Sequence, residues 1–262
     1  MKICVLVKEV PDAAVEKRID PATGRMDRSG EKNLNPYDTH AIEAAMQIRE
    51  GGTPVEEIVA VTMGPESAER TLHKAVSLGA DRSVHICDDA LAGSDVAATG
   101  YALAQVLRGE SPDLVLLGQQ SDDGECYTIG AVVAEHLRMP SLTQVIKMDV
   151  ESDALRCERQ AEYGYDTVAV KLPAVISVGD AINEPRYPSL KAIMGAKKKP
   201  LQRLSAAEAG IDLAKVGGES SGAHWIAVMP PPQKPPGEII EDEDTNETVE
   251  KILAWLEQRK LI

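Results

Sequence analysis

The 262-residue chain carries 42 Asp and Glu against 28 Lys and Arg, a formal charge of −14 at pH 7. That balance argues against the basic surface by which a protein grips nucleic acid. No apolar run is long enough to cross a bilayer, so a cytoplasmic protein without direct membrane insertion is expected.

The first apolar run, Ile3-Cys4-Val5-Leu6-Val7, is continuous, as in a strand buried on both faces. After Val10-Pro11-Asp12, the Pro21…Gly24 turn predicts an exposed hairpin over residues 18–26. Asn35-Pro36 then opens a helix, with Asn as N-cap and Pro at the first helical position. Its apolar stripe is Ile42, Ala45, Met46 and Ile48, and Gly51-Gly52 ends it. A second strand, 58–61, leads through Met63-Gly64-Pro65 to a helix carrying Leu72, Ala75, Val76 and Leu78. A third strand covers 82–86. Ser94-Asp95 caps a helix running past Tyr101 and Leu103, and Leu114-Val115-Leu116-Leu117 is the most apolar strand. A polar loop precedes a helix over 129–137. Phe is absent, so aliphatic side chains and Met fill the core. The alternation predicts a parallel sheet with right-handed crossovers between Ala-rich helices.

Past Pro140 the rhythm changes. Residues 146–150 and 167–171 alternate in period two, which predicts antiparallel strands near the sheet edge. Residues 174–178 are continuously apolar and suit a central strand. From Gly179 to about Pro200 the chain reads as irregular, ending in Lys197-Lys198-Lys199. A proline-rich arm over 230–236 follows. Asp244-Thr245 then caps an amphipathic helix with Val249, Ile252, Leu253 and Leu256. The division expected is an α/β nucleotide-binding domain over 1–200, with a loop at 182–199. Residues 201–262 then form a linker, arm and helix that lie on a partner.

Ligands of an open parallel sheet bind beyond the carboxyl ends of its strands. Three ends stand out: Val7-Lys8, Met63-Gly64-Pro65 and Gly118-Gln119-Gln120. The third feeds Ser121-Asp122-Asp123-Gly124-Glu125-Cys126-Tyr127-Thr128 and a helix beginning near Ile129, whose first amides offer an anion site. The loop acids would repel a phosphate if they faced it. An ordinary capped helix with an acidic first turn is the alternative. No GxGxxG and no GxxxxGK[ST] occurs. The four cysteines (4, 87, 126 and 157) form no CxxC pair, and the five histidines (40, 73, 85, 136 and 224) form no metal-spaced cluster. No catalytic constellation can be argued from residue order.

The segment Asn183-Glu184-Pro185-Arg186-Tyr187-Pro188-Ser189-Leu190-Lys191-Ala192-Ile193-Met194-Gly195-Ala196-Lys197-Lys198-Lys199 resembles the signature of the electron-transfer flavoprotein beta subunits. Val7-Lys8-Glu9-Val10-Pro11-Asp12, Asn35-Pro36-Tyr37-Asp38, Leu78-Gly79-Ala80-Asp81, Lys171-Leu172-Pro173-Ala174-Val175 and the Asp113–Gly118 strand with its acidic loop also match. The resemblance implies a Rossmann-like α/β domain of the adenine nucleotide alpha-hydrolase type. It also implies a larger alpha subunit, whose mobile domain carries the electron-transferring FAD, and a flavin-containing dehydrogenase as partner. The nucleotide site it implies comprises Leu6, Lys8, Asn35, Pro36, Tyr37, Asp38, Met63, Gly64, Gly118 and Gln120. Asp123, Gly124, Glu125, Cys126, Tyr127, Thr128 and Ile129 surround the phosphate. The docking element comprises Arg186, Tyr187, Leu190, Ile193 and Met194, with Leu190 as its anchor.

Ordinary members hold AMP there, whereas electron-bifurcating members, which oxidise NADH, hold a second FAD. Val10-Pro11-Asp12, Asp123-Gly124 and Gly93-Ser94-Asp95 with Thr99 resemble the bifurcating group, which adds Asp95 and Thr99 to the site and favours FAD over AMP. Val96 and Cys126-Tyr127-Thr128 depart from that group's pattern. An ATP-binding or hydrolysing protein of the same fold is the remote alternative, although residues 8–11 lack the SGGxDS-like loop of its pyrophosphatase branch.

Overall fold

The computed structural model describes residues 1–20, 23–223, 226, 229, 232, 234, 236, 237, 239 and 244–262. Pro21 of the predicted hairpin turn and most of the proline-rich arm lie outside them. Two compact units are present, Met1–Ile226 and Ala227–Ile262.

The first unit is a Rossmann-like α/β sandwich. Its strands are β1 (Lys2–Leu6), β2 (Glu9–Pro11), β3 (Ile19–Asp20), β4 (Arg25–Met26), β5 (Lys32–Leu34), β6 (Glu57–Met63) and β7 (Arg82–Ile86). They continue as β8 (Leu114–Gly118), β9 (Ser141–Val150), β10 (Ala154–Ala161), β11 (Gly164–Lys171), β12 (Ala174–Val178) and β13 (Leu201–Leu204). Its helices are α1 (Pro36–Glu50), α2 (Glu69–Leu78), α3 (Val96–Glu110), α4 (Ile129–Leu137) and α5 (Leu190–Ala196).

The main sheet runs β11-β10-β9-β12-β8-β1-β6-β7-β13. From β9 to β13 every pairing is parallel, and the continuous apolar runs occupy this centre because both sheet faces there are covered. Side chains alternate between two cores. Ile3, Val5, Ile58 and Ala60 pack beneath Ile42 and Ala45 of α1 and Leu72 and Ala75 of α2. Cys4, Val59, Val61 and Val115 pack beneath Leu103 and Leu107 of α3 and Val133 of α4. Period-two alternation thus builds a layer of helices on each face.

The expected edge strands are present, as parts of β9 and β11, joined in an antiparallel meander by β10. Sequence reading missed β10 because its only deeply buried apolar side chains are Leu155 and Cys157, set among charged residues. The compact unit also runs beyond residue 200, since β13 adds to the sheet edge beside β7. The stretch from 179 to 200 is not wholly irregular. Ser189 caps α5, its hydroxyl accepting from the Ala192 amide at 3.2 Å. The predicted hairpin is β3–β4, with Gly24 in the left-handed region at φ +64°.

In the second unit, α6 (Thr245–Gln258) is capped by Asp244, whose carboxylate accepts from the Asn246 amide at 2.8 Å. Val249, Ile252 and Leu253 leave an exposed apolar stripe at helical spacing.

Candidate functional site

From β1 the chain crosses through α1 to β6 on one side, whereas β7 returns through α3 to β8 on the other. The connections therefore diverge beyond the carboxyl ends of β1 and β8, where such folds form a cleft. The β1–β8 ladder ends at Val5 and Leu116, while β8 stays paired with β12 as far as Gly118. The expected residues Leu6, Lys8, Met63, Gly64, Gly118 and Gln120 are gathered at these strand ends.

The first turn of α1 closes on the end of β8. A Cβ on Gly118 would lie 2.6 Å from the Tyr37 carbonyl carbon and 2.7 Å from Asp38 Oδ1, so only glycine fits. Asn35 occupies the N-cap position, yet its side chain caps nothing. Its Nδ2 instead donates to the Gln120 carbonyl at 2.8 Å, and its Oδ1 accepts from the Asp122 amide at 3.1 Å. Pro36, with no N–H to satisfy, starts the helix without that cap. Asp38 is 5 % exposed. Its carboxylate accepts from the Lys8 amide at 2.8 Å and the Gly118 amide at 3.2 Å, so it faces the protein's own backbone. Burial pushes its pKa up to about 7, against these hydrogen bonds and the nearby Lys8 charge.

The 119–128 loop is held from below by cations. Lys8 Nζ donates to Ser121 Oγ at 3.1 Å and to Asp123 Oδ1 at 2.7 Å, and Arg28 reaches Asp123 Oδ2 at 2.6 Å. Lys17 Nζ donates to the Asp122 carbonyl at 2.6 Å and to its Oδ2 at 2.9 Å. The Asp123 side chain is wholly buried. Burial alone would raise its pKa, but Lys8, Arg28 and the Ser121 hydroxyl outweigh it and hold the group at about 2. Two of the three loop acids are thus paired with cations, Asp123 buried and Asp122 partly exposed, which removes the conflict with an anion at this loop.

The exposed outer face consists of Gly124, Glu125, Cys126, Tyr127 and Thr128. The Ser121 carbonyl accepts from the Gly124 amide at 3.3 Å and the Glu125 amide at 2.9 Å. Glu125 and Tyr127 take left-handed φ values of +46° and +55°, a local strain of the kind that clusters at functional sites. The capped-helix alternative is not what α4 shows, because Thr128 provides no side-chain cap and the first turn holds no acid. The leading amides from Ile129 onward are therefore open to an anion. Gln120 Oε1 is buried without a hydrogen-bond partner, as a cleft built for a polar ligand would have it.

Asp95 and Thr99 lie at the start of α3. Gly100 packs so tightly on Val132 that a Cβ there would collide with it, and the two helix N-termini are thereby side by side. The Asp95 carboxylate accepts from the amides of Ala98 at 2.9 Å, Gly222 at 2.8 Å and Ala223 at 3.1 Å, and these hold its pKa low. It closes its own helix rather than pointing at the 124–129 loop.

The expected docking residues divide in two. The Arg186 guanidinium is spent on α1, with Nε 2.6 Å from Glu43 and Nη1 2.7 Å from Glu50. It straps the segment down and is not a free contact. Tyr187 and Leu190 are 97 % and 80 % exposed, and Ile193 and Met194 are exposed beside them. Leu190, Ile193 and Met194 share one face of α5 through their i, i+3, i+4 spacing.

Sequence reading placed Ser121 in the loop without a role and missed Lys17 and Arg28, whose only signal was basic residues flanking the predicted hairpin of an acidic chain. It also took His85 for an ordinary strand residue. That side chain is fully buried, with Nε2 3.1 Å from the Gly64 carbonyl. Among the described residues no cluster of His, Cys, Asp or Glu is placed to hold a metal, and no helix is long and apolar enough to cross a membrane.

The family model described as electron transfer flavoprotein domain matches residues 23–209. The electron transfer flavoprotein subunit beta of Mycobacterium tuberculosis is 40 % identical, with 99 % of each chain covered. That of Megasphaera elsdenii is 34 % identical, with each chain fully covered. The caffeyl-CoA reductase-Etf complex subunit CarD of Acetobacterium woodii is also 34 % identical over the full length of both.

Proposed function

Since this chain belongs to the electron transfer flavoprotein beta-subunit family, we propose that it binds an adenine nucleotide, FAD rather than AMP, in the cleft beyond β1, β6 and β8. In this reading it pairs with an alpha subunit that holds a further FAD, and it docks a flavin-containing dehydrogenase so that electrons pass to or from that FAD.

The observation that carries the reading is the open N-terminus of α4 beside a loop whose inner acids are already neutralised. The amides at the start of α4, beside Gly124, would take a phosphate, and Lys8 beneath the loop would add its field. Leu6, Met63 and Gly118 would frame the base, with Gln120 at the ribose side and Asn35 holding the loop behind it. A bound flavin supplies the redox chemistry, while the chain's part is to place it and shield it from water. The α5 face of Leu190, Ile193 and Met194 would receive the dehydrogenase, since an exposed apolar patch of this kind marks a protein interface. The α6 stripe would lie on the alpha subunit. The relative named for a caffeyl-CoA reductase complex supports a reductase or dehydrogenase as partner.

The second reading is electron bifurcation from NADH, favoured by Val10-Pro11-Asp12 and Gly93-Ser94-Asp95. Denaturing extraction of the purified heterodimer, with chromatography of what is released, tests both. Two FAD per heterodimer supports the FAD site and makes bifurcation testable by NADH-dependent flavin reduction. One FAD with one AMP identifies a simple carrier, and release of no adenine nucleotide beyond the alpha-subunit FAD overturns the site.

A further inference from the structure

We propose that Asp38 is the positioning residue of this site, an ionised carboxylate that sets the separation of the β1 and β8 ends and thereby governs how long the nucleotide stays bound. The inference rests on the nucleotide reading above and adds to it a residue that controls release without touching the ligand.

The two strands are hydrogen-bonded only as far as Val5 and Leu116. Beyond that rung they splay, and the amides of Lys8 and Gly118 have no partner across the gap. The Asp38 carboxylate fills it, one oxygen on each amide. Both residues also lead to the phosphate loop, because Lys8 supports Asp123 and the loop toward Gly124 starts after Gly118.

The Lys8 and Gly118 amides face Asp38 as donors and the Asn35 side chain adds a further hydrogen bond, so the carboxyl must offer an acceptor to each amide. An ionised carboxylate does. A protonated acid or an asparagine offers one acceptor and turns a donor toward the second amide, leaving a buried N–H unsatisfied. The charged group facing Asp38 is Lys8 from the end of β1, itself paired with Asp123 of the β8 loop. Leu117 and Gly118 at the end of β8 carry no charge. With burial pushing the group up to about 7, the carboxylate form is complete only above neutrality. Retention should therefore weaken as the pH falls through 7.

The test uses the intact heterodimer with the nucleotide it carries. AMP and FAD in ultrafiltrates are quantified over time between pH 5.5 and 8.5, alongside urea unfolding, for wild type and Asp38→Asn. Release from wild type should be at least about ten-fold faster at pH 5.5 than at pH 8.5, the effect of one buried donor left unpaired. Asp38→Asn should release fast at every pH, with urea unfolding still cooperative although the unpaired amide lowers its midpoint. Slow release from Asp38→Asn at pH 8.5 would overturn the proposal. So would a flat wild-type profile, which needs no variant and stands even if Asp38→Asn fails to fold. A heterodimer that holds no adenine nucleotide beyond the alpha-subunit FAD would overturn the parent reading as well, whereas bound nucleotide with a flat profile overturns this inference alone.

Discussion

Asp123→Asn keeps the shape of the side chain and removes its charge, leaving Lys8 with Ser121 alone and Arg28 without its carboxylate. The native pKa of about 2, against the ordinary 3.8, corresponds to about 2.5 kcal/mol at neutral pH. Lys8 and Arg28 are each 44 % exposed, so solvent screening reduces that to about 1–1.5 kcal/mol. In a chain of this size such a loss lowers the melting temperature by about 3–5 °C. The sign with pH follows from a depressed carboxylate: its contribution is complete above about pH 4 and is lost as the pH falls toward 2. Urea unfolding of wild type and Asp123→Asn should therefore differ at pH 7 and converge only as the pH falls to about 2. The difference should also shrink in 1 M NaCl, because the cations are half open to solvent. Equal midpoints at pH 7, or a difference that does not shrink as the pH falls from about 4 to about 2, would refute the claim that the loop is held by this charge pair.

Gly118→Ala would force a methyl into the Tyr37 backbone and should cost about 1–3 kcal/mol. Gly124→Ala, with only Ser121 Oγ as close as 3.3 Å, should leave the melting temperature nearly unchanged. Leu190→Ala, with Met194→Ala as its companion, should slow electron transfer from the dehydrogenase at least about ten-fold, as expected of an interface anchor. Bound nucleotide should stay at the wild-type level; loss of both together would mean that α5 supports the fold rather than a partner.

The central sheet was legible because its strands are buried on both faces, which leaves runs such as 3–7 and 114–117 with almost no polar residue. The strand ends were legible for the same reason, since Lys8, Gly64 and Gly118 are the residues at which those runs stop. Elements at the rim were not. β10 has two buried apolar side chains, β13 is held at the sheet edge by its ladder with β7, and α5 exposes the apolar residues a periodicity search would assign to a core. The direction of a side chain was also beyond reach. Asp38, Asp95 and Arg186 were expected in a ligand or docking site, and the side chains of all three hydrogen-bond within the chain. Their spacing from neighbours in sequence carries no record of amides 80 or 127 positions away, such as Gly118 for Asp38 and Gly222 for Asp95.

An acidic chain with an acidic loop is a poor candidate for a phosphate site until charge is followed locally. Lys8, Lys17 and Arg28 come from the excursion after β1, and all three converge on Asp122 and Asp123. On the loop's inner side the three cations offset Asp122, Asp123 and the neighbouring Asp38, so no negative excess lies beside the open end of α4, whatever the net charge of the molecule. Field strength at a site depends on charges within a Debye length, about 8 Å at physiological ionic strength, and hardly on acids spread over the far surface. The rest of the acidity is then free to keep the protein dispersed, or to choose partners of opposite sign, without weakening the cleft. That separation also explains why Asp38 and Asp123, which share Lys8 as a neighbour, are driven to opposite ends of the carboxylate range. Asp123 meets three side-chain donors, two of them cations, whereas Asp38 meets neutral amides in a place closed to water and has Lys8 only as a neighbouring charge.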